Sequence, residues 1–230
     1  MAERDELPEL PAEGLDFRRL AAGILRVEYD RRRIIACGWF AAFFFNESQR
    51  RRVIGDWPVL AECVGFAESV AISRPRPLPE KGPAGPAQIE RALERVRSKG
   101  PAAFSESEFF AREGTPEFSP LAIRERVAEC YSKHGVSIEL GLEDLIDTIA
   151  AEFAFMQALI AERADDLEQA RFFFGHLMPL ADKTAAAIRA HDREGALDGV
   201  RAMLSRYLLT ESALFRAGFD GEPASGRTLN

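Results

Sequence analysis

The sequence predicts an all-α, single-domain helical bundle with short loops and one Pro-rich connection. Two observations carry this. Apolar residues recur at three- and four-residue steps over long stretches, most regularly in the C-terminal half. No stretch alternates apolar and polar residues convincingly, and no Asn-Gly or Asp-Gly turn separates strand-like runs.

Residues 1–15 combine acidic side chains with Pro8 and Pro11 and read as a flexible arm. The bundle is expected over 16–216. Its first helical pattern runs through Leu20, Ile24, Val27, Ile34, Ile35, Trp39 and Phe43. A second begins near Asp56, a candidate cap, with Pro58 suited to a first turn, and continues through Leu60, Val64 and Phe66. Residues 74–87, RPRPLPEKGPAGPA, cannot form regular helix, because proline lacks the amide donor and glycine weakens the rest. This segment is read as a connecting loop rather than a polyproline ligand. A short helix follows from Ile89 to Val96. Ser119-Pro120 is expected to cap a helix that ends near His134.

Three helices are expected in the last hundred residues. The first runs from about Glu143 to Ala164, the second carries Leu167 to Ala181, and the third carries Leu197 to Phe215. Asp165-Asp166 and His191-Asp192 mark the short joins, which suit antiparallel neighbours. Residues 217–230 read as a flexible tail.

Composition narrows the function. A formal charge of −7 argues against nucleic acid, whose binders usually present a basic domain. The cysteines, Cys37, Cys63 and Cys130, are odd in number and contain no C-x-x-C pair, so neither a disulfide framework nor a thiolate metal site is expected. The longest apolar run, Ile34 to Phe45, is too short for a bilayer, which needs about 20 residues. Arg31, Arg32 and Arg33 precede it and mimic an export signal, but no small-residue cleavage site follows. A cytoplasmic protein without stable membrane insertion is therefore expected.

Motifs for nucleotide binding, metal-dependent hydrolysis and serine hydrolysis are absent, and so are His pairs one helical turn apart. No catalytic residue, no metal and no cofactor is expected. Cys130 and His134, one turn apart, are a conceivable nucleophile–base pair without an evident third group.

One helix has an internal irregularity. On a wheel with Asp147 at zero, the apolar set centres near about 200°, Glu152 falls at about 140° and Phe155 at about 80°. This puts Asp147 in solvent, Glu152 at the rim of the core and Phe155 outside it. Glu152 then either caps a neighbouring helix or pairs with an arginine, or it borders a peptide groove together with Phe155 and Asp147.

The stretch Asp147-Thr148-Ile149-Ala150-Ala151-Glu152-Phe153-Ala154-Phe155-Met156 resembles the D-H-(three residues)-E-L-x-F-M block of the TorD/DmsD/NarJ family of redox-enzyme maturation chaperones. Ala170 to Leu180 resembles that family's F-L-x-x-H-L-x-x-W block, with His176-Leu177 in the H-L place. Tyr131 to Gly135 resembles the Y-x-x-x-G that precedes them. Thr148 stands where the family has histidine, and Leu180 where it has tryptophan.

The resemblance implies a cytoplasmic chaperone, monomer or homodimer, that is not itself an enzyme. It would bind the twin-arginine leader, or another segment, of a molybdopterin oxidoreductase subunit until cofactor insertion and export or assembly. The residues implied for peptide binding are Asp147, Thr148, Glu152, Phe155, Met156 and His176. In this reading the carboxylates meet the leader's arginines, the apolar residues meet its apolar segment, and His176 orients Glu152. The competing expectations are an all-α scaffold or regulatory module and an enzyme using a carboxylate in a helical pocket.

Overall fold

The computed structural model describes residues 17–71, 83–137 and 143–217. The N-terminal arm, most of the Pro-rich connection and the tail from residue 218 lie outside the described residues. Among the described residues the structure is all-α, without strands; Ser105 and Thr148 form one isolated antiparallel bridge.

The N-terminal apolar pattern forms one long helix, α1 (Phe17–Phe45). Asn46 then breaks it and caps α2 (Glu47–Ile54) by accepting a hydrogen bond from the Gln49 amide. The Asp56 carbonyl opens α3 (Trp57–Ala71), with Pro58 in its first turn as expected. Further on, α4 (Pro86–Lys99) starts earlier than the apolar pattern implies, because Pro86 is preset for a first turn and the Gln88 side chain closes back on Gly85. It buries Ile89, Ala92, Leu93 and Val96, one face of a helix.

A short helix, α5 (Glu106–Phe110), is held by a capping box between Ser105 and Glu108. Ser119 caps α6 (Pro120–Lys133), as its sequence predicts. The expected helix from Glu143 is instead a single 3₁₀ turn (Glu143–Leu145), a bend, and α7 (Ile149–Ala161). Asp165 caps α8 (Asp166–Phe172). A π-helical turn (Phe173–Leu177) joins it to α9 (Met178–His191), and α10 (Asp198–Ala217) closes the bundle. Pro179 accounts for the wide turn: it has no amide to donate, and its ring would strike a carbonyl one turn back in a regular helix.

The centre of the bundle is α1, packed against α7, α3 and α2, while α10 lies on α3 and α9. One hydrophobic core joins all of these. Its middle is aromatic. Phe40 stacks on Phe153 at 4.9 Å, Tyr207 leans on both, and Trp39 stacks on Phe43 at 5.1 Å. Ile24 and Val27, expected on the core face, are 63% exposed; Tyr29 of the same helix joins a small satellite cluster with Ala67 and Leu214.

The arginine triplet is divided by the helix. Arg31 is exposed, whereas Arg33 is buried and bound to Glu211 at 2.7 Å, with Tyr29 donating to the same carboxylate and Arg33 donating to Gln169. Arg50 is buried as well, donating to the Phe43 carbonyl and to Glu90. No described helix is long and apolar enough to cross a membrane.

Candidate functional site

The site is built around the start of α7. Thr148, in the family's histidine position, has extended backbone angles and serves as the N-cap, accepting from the Ala151 amide at 3.3 Å. Its hydroxyl donates to the Leu145 carbonyl at 2.8 Å. The helix therefore begins after Asp147, and the helical wheel does not apply to that residue. Asp147 is 0% exposed, not solvent-facing as the wheel predicts. Its Oδ2 accepts from the Ser107 amide at 2.7 Å and its carbonyl from the Glu106 amide at 2.8 Å. The Arg124 Nε lies 3.6 Å from Oδ1. The capping role considered for Glu152 thus belongs to Asp147, which ties the start of α7 to the start of α5.

Glu152 is fully buried rather than set at the core rim, and it pairs with no arginine. No donor reaches either of its oxygens. Burial pushes its carboxyl well above the usual range, and the neighbouring Glu106 and Asp147 carboxylates push it further. Glu106 in turn accepts from His176 Nδ1 at 2.8 Å. His176 therefore orients Glu106, not Glu152. Burial lowers the His176 pKa, but its hydrogen bonds with Cys130 and Glu106 outweigh that and raise it to about 9.

Both shifts are upward, so the sign of their linkage is shared. A group whose folded pKa is raised contributes its full stability below the unfolded value and loses it as pH climbs through the folded value. The groups facing His176 are Glu106 from α5, Cys130 and Lys133 from α6, and Glu168 and Arg171 from α8, with Glu152 of α7 behind Glu106. Urea denaturation should therefore show stability falling by on the order of 2 kcal/mol as His176 loses its proton between neutral pH and about 9 or above. Glu152→Gln, which removes the carboxyl whose pKa burial raises, should flatten part of that fall.

Phe155 is buried, not outside the core. It stacks on Tyr131 at 4.2 Å and meets Phe172 edge-on at 4.8 Å. The reason is that α6 and α8 cover the side of α7 that a two-layer wheel leaves in water. A helix apolar nearly all round is one enclosed by neighbours. Met156 is wholly in the core.

An open groove of about 520 Å³ lies between α1 and α7. Gly38, Ala41 and Ala42 line one wall, and Ala151, Ala154 and Ala158 the other; Thr148 and Phe155 also line it. Its rim carries Phe45 and Leu145, 54% and 39% exposed. Of the residues implied by the resemblance, Thr148 and Phe155 face this groove. His176 borders a separate cavity on the far side of Phe155. Asp147, Glu152 and Met156 are enclosed behind both.

The sequence reading missed the groove-lining residues of α1 and the partners Glu106 and Ser107. A signal for the first existed: small residues at three- and four-residue spacing on both Gly38–Ala42 and Ala151–Ala158 let a groove stay open. The partner of Cys130 is His176 at 3.7 Å, and His134 instead meets the edge of Phe155. Among the described residues no group of three His, Cys, Asp or Glu side chains could hold a metal ion. No protein-family model matches the chain, and no curated protein and no solved structure is detectably similar to it.

Proposed function

We propose that the chain is a client-binding maturation chaperone of the TorD/DmsD/NarJ kind. It acts in the cytoplasm and holds an apolar segment of a molybdopterin oxidoreductase subunit, leader or mature, until the cofactor is inserted and export or assembly proceeds. The observation that carries this is the α1–α7 groove. It is almost wholly apolar, it is open, and its walls include Thr148 and Phe155 from the very block that resembles the family. Exposed Phe45 and Leu145 on the rim are the kind of surface that a partner covers. An amphipathic or apolar peptide laid in a groove of small side chains gains close contact without displacing the core.

Asp147 and Glu152 are enclosed, so they act from behind, by setting the start of α7. The arginines of a leader would meet carboxylates at the surface, where Glu47 and Asp144 lie within two residues of the rim residues Phe45 and Leu145 and would exchange Arg51 and Arg124 for the client's arginines.

The test starts from a pull-down out of the native cytoplasm with peptide mapping of whatever subunit is bound. The mapped peptide is then titrated against the parent and against Ala154→Phe. Ala154 is exposed, so the larger ring fills the groove without entering the core. Affinity should fall by about tenfold or more, equivalent to about 1.4 kcal/mol, with the melting temperature little changed. Equal affinity in Ala154→Phe would remove the groove from the function.

A further inference from the structure

The cavity beyond Phe155 has a chemistry that the groove lacks. Cys130 Sγ lies 3.7 Å from His176 Nε2, and His176 Nδ1 lies 2.8 Å from Glu106 Oε1. Thiol, imidazole and carboxylate thus run in series from α6 through the π turn to α5. A thiol beside an imidazolium that a carboxylate orients is an arrangement that supports the thiolate, the form that attacks. The imidazole is held on its face too, stacked on Phe172 at 5.4 Å. It sits in the π-helical turn, a distortion that often accompanies function.

The other two thiols are built differently. Cys37 is buried against the Tyr207 hydroxyl, and burial pushes its thiol up to about 12. Cys63 is buried, and its thiol is raised by the same cause. Cys130 is half-buried and opens onto a cavity of about 260 Å³. Lys133, paired with Glu129 at 2.9 Å, and Arg171 line that cavity with His176 and Glu168.

We propose that Cys130 is a reactive thiol and a site of reversible modification by anionic low-molecular-weight disulfides. Arg171, in no ion pair among the described residues, selects a disulfide that carries carboxylates. In the exchange, Cys130 gives its proton to solvent, the His176 imidazolium 3.7 Å away supports the thiolate, and that sulfur attacks one sulfur of the disulfide. One S–S bond forms, the disulfide's own S–S bond breaks, and the departing sulfur leaves as a thiolate that takes up a proton from solvent. The products are a Cys130 mixed disulfide and one free thiol, so electrons and protons balance, and a second thiol reverses the reaction. The modification fills the cavity beside Phe155, whose ring is shared with the client groove.

The test uses the full chain and dithiobis(nitrobenzoate), an anionic aromatic disulfide whose released thiolate is coloured, with cystamine as the cationic comparison. One thiol per folded chain should react quickly, and intact mass should place a single adduct that Cys130→Ser abolishes. His176→Gln should slow the reaction by about tenfold or more and change the shape of its pH profile, which loss of packing alone would not do. Arg171→Gln, an exposed change away from Glu106, should slow the anionic reagent severalfold and leave cystamine unaffected; it serves even if His176→Gln folds poorly. A fast phase that survives Cys130→Ser overturns the assignment. So does a parental rate and pH profile in His176→Gln, or an Arg171→Gln variant that treats both reagents as the parent does.

Discussion

Replacing Arg33 by methionine is expected to lower stability by about 3–5 kcal/mol, a large share of the roughly 5–15 kcal/mol that holds a protein of this kind folded. Arg33 is enclosed, and its guanidinium reaches Glu211 on α10, Gln169 on α8 and Asp30 on its own helix. Removing it leaves the Glu211 carboxylate buried with the Tyr29 hydroxyl as its remaining donor among these partners. The cost is then the uncompensated charge rather than the attraction that was lost. Urea denaturation measures it. Combining Arg33→Met with Glu211→Gln should recover a good part, because no net charge then stays in the core. A loss below about 1 kcal/mol in the single variant would mean that water reaches Glu211, as at a surface pair.

Asp147→Ala should cost about 3 kcal/mol, equivalent to a fall of roughly 6–12 °C in Tm for a chain of this size. The charged oxygen at 2.7 Å from the Ser107 amide is the main reason, since that donor would be left unpaired inside the protein. Arg124 also loses its inner partner and keeps Asp144 among the described residues. Asp147→Asn keeps an acceptor and should lose less than half as much. Thermal melts give the magnitude, and amide exchange at Ser107 gives the location, with protection lost there before the rest of α7. This outcome is the opposite of what a solvent-facing aspartate implies. An Asp147→Ala protein as stable as its parent would show that the α5–α7 connection does not depend on the carboxylate.

What the sequence determined by itself is the local structure and the class of fold. Ser119-Pro120 is a cap that works within one turn of chain, and it is where the residues predict it. The three- and four-residue recurrence of Ile89, Ala92, Leu93 and Val96 reports a buried face directly, because it needs only one neighbouring layer. The same reasoning fails around α7, and for a definite reason. A wheel assumes that the helix begins before the residues placed on it and has one dry side. Thr148 starts the helix one residue beyond Asp147, and α1, α6 and α8 enclose it on several sides, so Asp147, Glu152 and Phe155 are all buried. Which carboxylate caps and which meets His176 depends on α5 lying against α7, a contact about forty residues apart in sequence. The pairing of Cys130 with His176 rather than His134 depends likewise on the π turn that Pro179 imposes. Periodicity carries no information about such encounters, because they arise from how helices cross and not from how any one of them forms.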